Sequence, residues 1–91
     1  MLADSAGNRE FSLFYLGLSR MGLNRTDDAI LSFEELLESG SGELIHDAGW
    51  YLALCYMKQD MPDKTRDLLE EISVSDSPYK KDARRILRSI R

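Results

Sequence analysis

The chain is short of the residues that crosslink, interrupt or catalyse. Cys55 is its single cysteine, so no internal disulfide can brace the fold. Its apolar neighbours make a buried, inert thiol the default. Two prolines and six glycines leave room for long helices. β-Branched residues are confined to Ile30, Ile45, Ile72, Ile86, Ile90, Val74, Thr26 and Thr65. No alternating stretch is long enough to compete with a helical reading. No apolar run is long enough for a membrane-spanning helix, so direct membrane insertion is not expected. Met1-Leu2-Ala3-Asp4 lacks a basic stretch leading into an apolar core and does not read as a signal peptide.

These shortages remove most catalytic chemistry. His46 is the single histidine. It adjoins Asp47, and neighbours on a helix do not face each other. Cys55 lies more than roughly two helical turns from His46, too far for a nucleophile pair. Glu34-Glu35 and Glu70-Glu71 are consecutive rather than convergent. A metal site would have to gather ligands from separate helices, with one histidine and one cysteine to offer. Gly40 and Gly42 end a helix and do not form a phosphate loop. Neither enzymatic activity nor a cofactor is expected.

Charge is unevenly spread over a net −4. Residues 1–50 carry nine acids and three bases, whereas residues 51–91 carry seven acids and nine bases. The bases concentrate in Lys80, Lys81, Arg84, Arg85, Arg88 and Arg91. A basic helix can meet nucleic acid or an acidic peptide, but it is equally the solvated face of a terminal helix. The acidic first half, and the lack of a helix-turn-helix or metal-finger signal, argue against nucleic acid as a partner.

Apolar spacing predicts an all-α chain of about five helices. The first covers Asn8 to Gly22, with Phe11, Phe14, Tyr15 and Leu18 on one stripe and Leu13 and Leu16 broadening it. Asn24 can cap the second, which runs to about Glu38 and buries Ala29, Ile30, Phe33, Leu36 and Leu37. Ser39-Gly40-Ser41-Gly42 ends it. The third, about Glu43 to Gln59, is unusually apolar and aromatic and should be central. Asp60 caps the fourth, Pro62 fits its first turn, and it ends near Ile72 or Ser73. Ser77 caps the fifth and Pro78 opens it, with Ala83, Ile86, Leu87 and Ile90 as its buried stripe.

What is present is repetition. Leu16, Gly17, Ala29, Phe33 and Leu36 return as Leu52, Ala53, Thr65, Leu69 and Ile72, each displaced by 36 residues. Helix pairs stack in this way because one amphipathic pair cannot bury its own face. The domain is read as residues 1–91, with repeat one at about 8–40, repeat two at about 43–75 and a closing helix at about 78–90. Gly17 and Ala53 should let paired helices approach closely. A Gly17→Leu change should overpack that contact.

These residues resemble the tetratricopeptide repeat, a helix pair of about 34 residues. Leu16-Gly17, Ala29, Phe33 and Leu36 match in the first unit, where Arg20 replaces the family tyrosine. Leu52-Ala53, Tyr56, Thr65, Leu69 and Ile72 match in the second. Asp76-Ser77-Pro78-Tyr79-Lys80 is similar to the closing segment of such domains in bacterial proteins of the Bacteroidetes kind. Several of those lie outside the membrane or follow one. The resemblance implies an α-α superhelix of helical hairpins.

The resemblance also implies a protein or peptide partner on the concave face of the first helices. Carried over by position, that face holds Phe11, Phe14, Leu18 and Met21, then Asp47, Trp50, Leu54, Met57 and Lys58, then Asp82 and Arg85. Lys58 and Arg85 are too few, and Phe14 and Leu18 too apolar, for a clamp on a terminal carboxylate. An apolar helix or extended segment fits better. In so short an array Phe14, Leu18 and Trp50 can also serve as packing. Self-association is the alternative, because the first helix is apolar around much of its circumference and a homodimer would bury it. An upstream repeat of a longer scaffold would do the same. A full-length chain implies a cytoplasmic protein; an excised domain would allow a periplasmic or membrane-attached parent.

Overall fold

The computed structural model describes residues 5–39 and 42–90, which form α1 (Ser5–Gly22), α2 (Thr26–Glu38), α3 (Ile45–Lys58), α4 (Pro62–Ser73) and α5 (Lys80–Ser89). No strand occurs among the described residues. Met1–Asp4, Arg91 and the linker residues Gly40 and Ser41 lie outside them, and with them the signal-peptide reading and one base of the C-terminal cluster. Each helix packs chiefly on its neighbours in sequence, and the molecule measures 49 × 29 × 17 Å. Stacking along one axis makes it long and thin.

Helix existence follows the apolar stripes; the ends follow other rules. Asn24 and Asp60 are not N-caps, contrary to the sequence expectation. Both sit in the left-handed region, at φ 62° and 56°. Each closes the preceding helix. Asn24 N–H donates to the Met21 carbonyl at 3.0 Å and Arg25 N–H to Arg20 at 2.7 Å. Asp60 and Met61 repeat the pair toward Met57 and Tyr56, both at 3.0 Å. This is a Schellman closure, and short polar side chains tolerate its left-handed residue. The N-cap positions of α2 and α4 fall to Arg25 and Met61, without side-chain caps. Pro62 opens α4 as predicted.

The fifth helix also starts later than expected. Ser77 Oγ accepts the Tyr79 N–H at 3.0 Å, and the Ser77 carbonyl accepts Lys80 N–H at 3.2 Å. Pro78 and Tyr79 therefore form a turn, and α5 begins at Lys80. Ile90, predicted as buried, follows the last helical residue and is exposed.

The 36-residue repeat is geometric as well as compositional. Ala29, Phe33, Leu36 and Leu69 have no exposed surface, and Thr65 and Ile72 are buried beside them. Thr65 stands where the first repeat has alanine; its hydroxyl donates to the Met61 carbonyl at 2.8 Å, which satisfies the buried oxygen. Ser39 and Ser75 finish their hairpins alike, each hydroxyl donating to the carbonyl three residues back, at 2.7 and 2.9 Å. The core forms two clusters that meet at α3. One gathers Phe14, Phe33 and Leu36 around Leu52, Cys55 and Tyr56; the other gathers Leu69, Ile72 and Leu87 around Ala53. The central position expected for α3 is thus the observed one.

Two mid-helix glycines have different reasons to be there. A Cβ on Gly17 would lie 2.6 Å from two ring atoms of Phe33, so the ring requires the glycine. A Cβ on Gly49 would meet nothing within 4 Å. Glycine inside a helix costs about 1 kcal/mol relative to alanine, and no neighbour of Gly49 calls for it.

One position breaks the symmetry. Leu52 is 3% exposed, because it faces the preceding repeat, whereas Leu16, its counterpart, is 42% exposed. Ser12 and Ser19, counterparts of the buried Ala48 and Cys55, are exposed too.

Candidate protein-interaction surface

The odd-numbered helices α1, α3 and α5 carry the residues expected to meet a partner. Their side chains divide into three groups. Phe14 is a core residue rather than a surface one: its ring packs against Phe33 at 6.1 Å and Tyr51 at 5.9 Å. It turns inward, between the rings that α2 and α3 present to it. Leu18 and Met21 are half-buried against the same cluster.

Other members are engaged in contacts with neighbouring helices or turns. The Trp50 indole stacks on the Tyr79 ring, centroids 5.2 Å apart and planes 4° from parallel. The Tyr79 hydroxyl donates to Asp47. Two residues one turn apart on α3 thus hold the turn that leads into α5. Lys58 Nζ donates to Asn24 Oδ1 at 2.7 Å and ties the end of α3 to the first hairpin turn. Arg85 lies 3.5 Å from Asp82, an exposed pair one turn apart that contributes little to stability.

Phe11, Leu54 and Met57 remain outward. Phe11 and Met57 are 41% and 42% exposed, and Leu54 is half-buried. Trp50, Leu54 and Met57 follow at helical spacing, so α3 presents one apolar stripe along its length. A small cavity of about 200 Å³ lies at the Met57 end, lined by Met61, Pro62, Thr65 and Ile90 among others.

Tyr79 escaped the sequence reading. It lies 32 residues from Asp47, and no local pattern connects them. Its phenol is pushed up to about 12, first by the hydrogen bond to Asp47 and then by desolvation. Burial, then the 2.6 Å hydrogen bond to Glu34, raises Tyr56 as well. Both shifts favour the neutral phenol in the folded state. The contribution of Tyr79 is complete below the ordinary tyrosine value of 10 and is lost as pH climbs toward about 12; that of Tyr56 persists to higher pH. Tyr79→Phe should therefore flatten the alkaline loss of stability, read as the urea midpoint against pH. A slope equal to that of the parent would show that the Asp47 bond does not persist in solution.

Cys55 is buried, and burial raises its thiol, which makes it a poor nucleophile. Among the described residues no three His, Cys, Asp or Glu side chains form a metal cluster, and no helix is long and apolar enough to cross a membrane.

A family model for the tetratricopeptide repeat matches residues 11–39 and 47–73. Comparison with curated proteins and with solved structures finds no match. The two matched stretches hold the helices and turns that the geometry shows to be repeated. Repeats of this kind generally serve as non-catalytic scaffolds for protein–protein interaction. Because the two stretches cover more than half of the residues, the chain belongs to the tetratricopeptide repeat family.

Proposed function

We propose that the chain binds an apolar peptide or protein segment on the face formed by α1, α3 and α5. One observation carries this reading: α3 presents Trp50, Leu54 and Met57 as a partly exposed apolar stripe, and Leu18 and Met21 of α1 are likewise only half-buried. A methionine among charged residues is adaptable in shape and suits an apolar ligand. Phe11 and Arg85 extend the surface at its edges, and Lys58 can leave Asn24 to meet a partner.

Met57 provides the clean test, because it is exposed and its replacement leaves the core intact. Peptides selected against the folded domain from a random display library are expected to lose roughly tenfold or more in affinity for a Met57→Arg variant. That variant should melt like the parent. A selection that yields no peptide sensitive to Met57→Arg would refute the proposal.

A second reading rests on the exposed Leu16. The same position in the second repeat is covered by the first, so the open α1 face fits another helix, from a second copy or a further repeat. Light scattering over a concentration range is expected to show a dimer that Leu16→Glu dissolves. A strict monomer would leave only the further repeat as occupant.

We also place the chain with domains of the Bacteroidetes kind, on the segment Asp76–Lys80. An alignment of bacterial domains in which that segment aligns no better with the Bacteroidetes ones would remove this placement.

A further inference from the structure

The opposite side of α3 carries a cleft, walled by α2 and α4. Its floor is one stripe of α3: Ile45, Gly49, Leu52 and Tyr56. Two cavities of about 480 and 300 Å³ share Leu37, Leu68 and Glu71 and so run into each other. The stripe spans roughly three turns, about 16 Å at 1.5 Å per residue.

The rim is acidic. Glu34 and Glu38 come from α2, Asp67 and Glu71 from α4. Lys64 is the one cation among the residues lining the larger cavity, and its amine is occupied over the Tyr56 ring, 5.6 Å from the centroid. The floor is apolar and narrow, because Gly49, Leu52 and Tyr56 are themselves buried, and Gly49 contributes no side chain at its middle. Gly49 has open space where a Cβ would stand, although alanine would make the better helix. Gly17 is explained by Phe33; no group within the described residues explains Gly49 in the same way.

We infer that this cleft docks a basic amphipathic helix of another protein. Its apolar side chains enter over Gly49, where the missing side chain allows close approach to the α3 backbone. Its lysines or arginines meet Glu38, Asp67 and Glu71. An apolar floor disfavours a purely polar ligand, and an acidic rim repels phosphate-bearing ones. Three turns of floor match the apolar stripe of a short helix. The surface is separate from the α1, α3 and α5 face.

The probe is a labelled three-turn peptide with leucines on one helical stripe and lysines elsewhere, read by fluorescence anisotropy at low and high salt. Its counterpart carries glutamate for every lysine. The lysine peptide is expected to bind about tenfold tighter or better than the glutamate peptide, and less tightly as salt rises. Gly49→Leu fills the cleft and should weaken binding about tenfold while the circular dichroism stays helical. E38Q/D67N/E71Q should weaken it similarly and flatten the salt dependence. All three acids are exposed, so this variant decides the matter alone if Gly49→Leu fails to fold. Met57→Arg should leave the affinity within about twofold, which separates this site from the other face. Equal binding of the two peptides, or a folded variant at either position that keeps parental affinity, overturns the inference.

Discussion

Gly17→Leu is expected to lower the unfolding free energy by about 1–3 kcal/mol, toward the upper end, and even Gly17→Ala should destabilise. Two effects oppose each other here. Helix propensity alone favours alanine over glycine by about 1 kcal/mol. Against it stands a Cβ that would lie 2.6 Å from two ring atoms of Phe33. That ring has no exposed surface and is packed by Phe14 and Tyr51, with centroids at 6.1 and 6.2 Å. A close-packed interior gives it nowhere to go, so the clash wins.

The second repeat shows how the clash is relieved. There Ala53 replaces the glycine and Leu69 the phenylalanine, and both are fully buried. One repeat uses the smallest residue against a ring, the other a methyl group against a smaller side chain. Gly17→Ala combined with Phe33→Leu therefore transplants the second solution into the first repeat. The pair should be less destabilising than the sum of the single changes, with a coupling of about 0.5–3 kcal/mol. Urea unfolding of the four proteins measures it. A Gly17→Ala protein more stable than the parent would show that propensity, and not Phe33, governs the site.

Trp50→Ala is expected to cost about 2–3 kcal/mol. The value lies below the ~3–5 kcal/mol of a fully buried ring, because Trp50 is only partly buried, and includes about 1 kcal/mol for the lost stack on Tyr79. In a small domain with roughly 5–15 kcal/mol to lose, that is a large fraction. Tyr79→Phe retains the stack and forfeits only the hydroxyl bond to Asp47, so it should cost less. Thermal melts of both variants decide the order. A Trp50→Ala protein that melts like the parent would free this tryptophan to be a contact residue. The consequence for function is direct: loss of partner binding by a Trp50 variant would be ambiguous, and loss by a Met57 variant would not.

The sequence suffices for the number of helices and for their stacking in repeated pairs. The reason is that a 36-residue displacement of small and large apolar residues forces equivalent packing in each unit. It also determined that Pro62 opens a helix, because proline fixes its own backbone. It misread Asn24 and Asp60, because a residue suited to cap a helix start is equally suited to the left-handed end of the one before. Only the neighbouring hydrogen bonds choose between them. The tertiary structure alone decided which apolar residues of α1 face inward. Phe14 meets rings from two other helices, while Leu16, identical in kind to buried Leu52, is exposed. Tyr79 reaches Trp50 and Asp47 across about 30 residues of chain. Whether Gly17 and Gly49 serve one purpose or two was likewise fixed by what stands opposite each: a phenylalanine ring in one case, open cleft in the other. Periodicity is a property of one helix, whereas exposure depends on which other helix lies across from it.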